Sequence, residues 1–195
     1  MKHTEQSQLT KQTLSTALKK LMETKPLSRI TISEIVESCG LNRKTFYYHF
    51  EDIYALLKWT LDQEAIAQFD KFDLVTQHTE AISFTLDYIS ANHSMLKNIV
   101  HSIGRSELSR FFFNDVYQPV YRLVCTCAEN RGLSVGEDYR AFLSKFLTEA
   151  VAGTLMECIE HESLSDRGVL TRWITVTLTA SITASLEEAA RRSLK

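Results

Sequence analysis

The stretch GLNRKTFYYHF, residues 40–50, decides how the rest of the chain is read. Gly40 can take the left-handed backbone that closes one helix, and Asn42 is a residue type that caps the start of the next. On a wheel of about 100° per residue, Phe46 and Phe50 lie about 40° apart and define an inner face with Leu41. Lys44 and Tyr48 lie opposite. Arg43 and Tyr47 flank the core on one side, Thr45 and His49 on the other. The outward arc is therefore Arg, Lys, Thr, Tyr, Tyr and His, with no carboxylate in it. The helix N-terminus adds unpaired N–H groups and partial positive charge. A short helix, a tight turn and a second helix of this kind form the helix-turn-helix plan, whose second helix enters the major groove of duplex DNA. Lys44 and Tyr48 point furthest from the core and are placed to touch base edges. The remaining hydroxyls and rings suit phosphate oxygens at the groove wall.

Upstream, Leu14, Ala17, Leu18, Leu21 and Met22 repeat at helical spacing, which predicts a first helix over about 7–23. Lys25-Pro26 ends it, because the residue before proline avoids the helical region. Thr31-Ile-Ser-Glu34 is a capping box opening a second helix with Ile32, Ile35 and Val36 on its inner face. Asp52 caps a fourth helix running toward Phe69.

The whole segment from Thr31 to Phe50 resembles the helix-turn-helix signature of the TetR/AcrR family of bacterial transcriptional regulators, through Gly40, Thr45, Phe46, Tyr47, His49 and Phe50. The resemblance spans about residues 8–60. It implies an all-helical homodimer with three N-terminal DNA-binding helices and a larger domain that binds a small effector and carries the dimer interface. It carries contacts with an operator, in double-stranded DNA, onto Thr31, Arg43, Lys44, Thr45, Tyr47, Tyr48 and His49. Where the family often has a phosphate-touching lysine, this chain has Ile53. The run Phe50 to Trp59 resembles the branch of the family that includes regulators of dihydroxyacetone kinase operons.

Composition agrees with a helical reading. Two prolines and six glycines in 195 residues leave few forced breaks. Residues 1–60 carry nine Lys+Arg against six Asp+Glu, and the remainder thirteen against eighteen, so a basic head precedes an acidic body. The four cysteines follow no CxxC spacing or disulfide framework and read as reduced, mostly buried thiols of a cytoplasmic protein. The N-terminus has no apolar leader core, and no uninterrupted apolar run reaches the ~20 residues of a membrane span.

The expected domains are 1–51, binding DNA, and 52–195, binding an effector and dimerising. Helices are predicted near 79–92, 94–103, 106–130, 135–162 and 166–192, with Pro119 kinking the third of these and Ser134-Val-Gly-Glu137 as a capping box. Residues 173–183 alternate apolar with Thr or Ser, as a strand does. The helical template fits them too, and a lone strand would have no ladder partner. Phe84, Tyr88, Phe112, Tyr117 and Tyr121 are candidate effector-pocket residues, with His93 and His101 as further polar liners. Ala150 and Gly153 let a second helix approach, and Trp173, Ile174, Leu178 and Ile182 form a stripe for a two-fold four-helix bundle.

No nucleophile elbow or phosphate loop appears, so an enzyme is not expected. No cofactor is expected. Glu157 and His161 stand at i, i+4, but a metal site would need a third ligand nearby. The alternative class is a helical interaction protein or co-regulator without operator binding of its own.

Overall fold

The computed structural model describes residues 2–161 and 166–192, apart from the side chains of residues 2–4, 114 and 115. All regular structure among them is helical. The order is α1 (Lys2–Met22), a 3₁₀ turn (Leu27–Arg29), α2 (Ile32–Ser38), α3 (Arg43–His49) and α4 (Ile53–Leu61). A π turn (Asp62–Ile66) and the short α5 (Ala67–Phe69) follow, then α6 (His78–Ala91), α7 (His93–Ile103), α8 (Arg105–Asn130), α9 (Glu137–Glu160) and α10 (Arg167–Arg191). The expected loop over 161–168, and the end of the helix expected over 135–162, lie partly outside the described residues. Residues 173–183 are helical, within α10.

Local chemistry sets the boundaries. At the end of α2, Gly40 adopts φ +68°. Its N–H donates to Glu37 O and the Leu41 N–H to Val36 O, the paired bonds of a Schellman stop. Gly132, at φ +62°, closes α8 in the same way through Glu129 and Ala128. Thr31 and Glu34 form the reciprocal capping box, and Asp52 accepts the Ala55 N–H at 2.7 Å. One expected cap is corrected. Gly136, not Ser134, holds the N-cap position of α9, and it makes no side-chain cap bond because it has no side chain to do so. Pro119 sits inside α8.

The chain divides into two compact units. One comprises residues up to Gln68 together with Ser94–Gly104; the other comprises Phe69–His93 and the chain from Arg105 onward. The first unit thus runs past the expected boundary at residue 51, for a physical reason. The Thr60 hydroxyl of α4 donates to Ser15 Oγ of α1 at 2.9 Å, fully buried, and Lys19 pairs with Glu64 at 2.7 Å. Leu14, Leu18, Ile35, Phe46, Leu56, Leu61, Leu96 and Ile99 are its largest fully buried side chains.

In the second unit, α8 packs along α9 and α10 along α6. Its core is built from Val120, Leu123, Val124 and Ala128 of α8, Leu143 and Leu147 of α9, and Ile182, Leu186 and Ala189 of α10. Cysteines 39, 125, 127 and 158 are all free thiols, half-buried rather than in the core. Burial holds the Cys39, Cys127 and Cys158 thiols above the ordinary range.

Candidate nucleic-acid interface

The outward arc of α3 stands on a rigid base. Phe46 is 0 % exposed and Phe50 is buried. Their rings lie 6.0 Å apart, and Phe50 packs edge-on to Trp59 at 5.9 Å. Lys11 of α1 extends over Phe50 and Trp59, its ammonium 5.9 and 6.0 Å from the two ring centroids. At the helix start, Asn42 Oδ1 accepts from the Thr45 N–H at 2.9 Å and from the Thr45 hydroxyl at 3.2 Å. The short helix is thereby fixed at both ends, by a cap and by an aromatic anchor.

Arg43, Lys44, Tyr47 and Tyr48 are exposed, Tyr48 at 71 % and Tyr47 at 51 %. Among the described residues none of the four has its polar end in a hydrogen bond or ion pair, so two cations and two phenol hydroxyls face outward unopposed. Thr45 and His49 are half-buried at the flanks, as the wheel requires. Burial, followed by the charge of Lys11, holds the His49 imidazole below its ordinary pKa, so it is neutral at pH 7. It stands edge-on to Tyr48 at 4.9 Å.

Thr31 is a different case. Its hydroxyl donates to Glu34 Oε2 at 2.8 Å and accepts the Glu34 N–H at 3.3 Å, while its own N–H donates to the same carboxylate at 2.9 Å. Both donors that a phosphate could use are engaged in the capping box. Glu34 in turn is ion-paired with Lys25, and its carboxyl is held at about 2 by that lysine first and by Thr31 next. Sequence reading did not find Tyr54, which is 51 % exposed in the first turn of α4, directly after the isoleucine that replaces the family's lysine.

Among the described residues, the expected effector residues fall into separate ring clusters. Phe84 lies between Phe72 at 5.8 Å and Tyr88 at 6.5 Å, tilted against both rings. Tyr117 stacks between Phe113 at 5.7 Å and Tyr121 at 6.1 Å, and Phe112 packs on Phe111 at 5.2 Å. His101 is exposed, and the half-buried His93 keeps a buried Nε2 without a partner. A cavity of about 440 Å³ lies elsewhere in the second unit, between residues 69–75 and the face of α8 formed by Pro119, Arg122, Leu123 and Thr126.

The expected dimer stripe is also redrawn. Ile174 and Ile182 are buried within the chain, and Leu178 packs against its core. Trp173 remains 56 % exposed, joined on α10 by Val176 at 59 % and on α9 by Phe142 at 62 % and Phe146 at 61 %. Ala150 is exposed, and a Cβ added at Gly153 would meet nothing within 4 Å. Glu157 and Glu160 pair with Arg105, and Glu157 also lies 3.3 Å from His161.

Two family profiles match the sequence. "Bacterial regulatory proteins, tetR family" covers residues 14–58, and "Transcriptional regulator C-terminal region" covers residues 77–178. The chain belongs to the TetR family of transcriptional regulators. Members of this family are DNA-binding regulators, not enzymes. Among solved structures, the dihydroxyacetone kinase operon activator DhaS superposes with a TM-score of 0.72 at 18 % identity, over 90 % of this chain and 97 % of its own. That likeness establishes the shared fold. A search of curated sequences gives no match. For this TetR-family chain the matched N-terminal segment contains α2, α3 and the turn between them.

Proposed function

We propose that this TetR-family chain is a cytoplasmic homodimeric repressor that binds a palindromic operator through α3 and releases or retains it according to a small effector. The observation that carries the reading is the arc of Arg43, Lys44, Tyr47 and Tyr48, all exposed, without carboxylates, and seated on a buried phenylalanine. Cations neutralise phosphates and release counterions, and the rigid phenols hydrogen-bond at little entropic cost. Lys44 and Tyr48 reach bases, while Arg43, Thr45 and Tyr47 hold the backbone. His49 contributes as a neutral donor. Thr31 contributes only if Glu34 releases it.

Dimerisation through α9 and α10 is supported by four large apolar side chains left uncovered on them, Phe142, Phe146, Trp173 and Val176. It is also supported by the composition of α10. An 18-residue window of that helix reaches a mean hydropathy of 1.2, and only 22 % of the window is buried within the chain. Apolar surface of this extent marks an interface. Two α3 helices in a two-fold pair would address half-sites about 34–36 Å apart. Occupying a promoter blocks transcription with no additional contact, which makes repression the simpler outcome.

Selection of duplexes from a random pool tests the whole reading. A palindrome with half-sites about one helical turn apart is expected, and its occupancy should silence a promoter placed across it. Recovery of no enriched sequence would favour a co-regulator acting through a protein partner.

A further inference from the structure

We propose that the cavity between residues 69–75 and α8 binds a small organic monocarboxylate with an apolar body, held by Arg122 and Thr126. The proposal rests on the reading of this chain as an effector-controlled regulator and names the chemistry of the effector.

The walls are mostly apolar: Phe69, Phe72, Leu74, Val75, Pro119 and Leu123. They are also firm. Leu123 belongs to the core of the second unit, Val75 packs against that core, and the Phe72 ring is fixed on Phe84 at 5.8 Å. The turn over 73–77 is tied by Asp73, whose two carboxylate oxygens accept the Val75 N–H at 3.1 Å and the Thr76 hydroxyl at 2.9 Å. A volume of about 440 Å³ falls within the usual range for small-molecule sites.

Two polar groups on α8 are left for a ligand. Arg122 makes no hydrogen bond or ion pair among the described residues, and Thr126 stands one turn further on the same face. Several helical threonines in this unit, Thr85, Thr148, Thr154, Thr171 and Thr179, spend their hydroxyls on the carbonyl four residues earlier, although Thr175 does not and is left without a partner. The half-buried Thr126 does not, so its hydroxyl is free to donate into the cavity. A guanidinium and a hydroxyl at i, i+4, above an apolar floor, match the planar fork of a carboxylate.

Charge narrows the choice to a monoanion. Of the acidic liners, Asp73 is engaged in its own turn, and Asp70 stands at the exposed rim. Lys71 already has an interaction partner. One unopposed guanidinium balances one negative charge. A phosphate dianion would retain excess charge near Asp70.

Calorimetric titration of the full chain with 3-phenylpropionate, its amide and phenyl phosphate tests this. The carboxylate is expected to bind saturably, with the amide and the phosphate each at least about tenfold weaker. Arg122→Gln and Thr126→Val should each weaken the carboxylate and leave amide binding unchanged. Arg122 is exposed, so the unfolding temperature of Arg122→Gln should match the parent. Equal binding of the amide, tighter binding of the phosphate, indifference to both substitutions, or no binding of the carboxylate would overturn the proposal. Binding of the selected operator, measured on the same samples, separates the two readings. DNA binding without carboxylate binding removes only the ligand assignment. Absence of DNA binding removes the regulator reading.

Discussion

The side-chain amide of Asn98 donates to the carbonyl of Lys25 at 2.8 Å, joining α7 to the end of α1 across 73 residues of sequence. The same NH₂ group donates to Met22 O at 3.0 Å, and the Asn98 oxygen accepts the Leu27 N–H at 2.8 Å. The C-terminal carbonyls of a helix have no partner within it, and here another helix supplies one. This explains why Ser94–Gly104 belongs to the first unit although the chain on either side belongs to the second. Asn98→Ala removes the partner of two acceptors and two donors, the Leu27 N–H and the Ser102 hydroxyl, and a loss of about 1–3 kcal/mol is expected in urea unfolding. Faster exchange of the Leu27 amide should accompany it. Unchanged stability and exchange would show that water replaces the asparagine without loss.

On the proposed reading, Lys44 and Tyr47 divide the recognition of DNA between them. Lys44→Ala should weaken operator binding and relax preference at one base position, by about 1–3 kcal/mol of discrimination. Tyr47→Ala should weaken binding to all sequences alike. Competition with single-base operator variants distinguishes the two, and a uniform loss from Lys44→Ala would reverse its assigned role.

Protonation gives stability and DNA binding opposite signs at His49. Burial and Lys11 depress its folded pKa below the usual 6.5, so the unfolded chain binds more protons between the depressed value and 6.5. Stability therefore falls as pH drops through that window. DNA phosphates favour the imidazolium, so operator affinity should rise over the same descent. His49→Gln should flatten both trends. Glu34 acts lower on the scale: its carboxyl is held at about 2, so its contribution is complete above 4.5 and is lost as pH falls toward 2. Glu34→Gln should remove that acid-range dependence from unfolding curves.

Phe146 and Trp173 test the dimer. Each is more than half exposed, so a glutamate at either position should leave the chain folded. In sedimentation, Phe146→Glu and Trp173→Glu should shift the chain toward monomer and weaken operator binding with it. Ile182→Glu would instead unfold the second unit, because that side chain is 2 % exposed within its own core.

The sequence exposed what is local. Thr31 with Glu34, Gly40, Asn42 and Asp52 mark helix ends through partners three to five residues away, and α3 follows from a repeat of one turn. The family signature added the proposed DNA-contacting residues. What depends on distant partners was hidden. Asn98 meets Met22, Lys25 and Leu27, and nothing in its own neighbourhood marks it. The strand-like alternation of residues 173–183 gave the right helix, but it did not show that Ile174 and Ile182 are buried within the chain itself. Aromatic spacing did not reveal the cavity beside α8, which Arg122 and Thr126 line, while Phe113, Tyr117 and Tyr121 stack on each other.

Salt dependence of duplex binding by the parent and by the Arg43→Ala, Lys44→Ala double variant bears most directly on the outward arc of α3. The parent's log affinity should fall steeply and linearly with log salt, and the double variant should bind more weakly with a slope shallower by about one unit per lost phosphate contact. Identical affinities and slopes, or a parent that binds no duplex at low salt, would contradict the account.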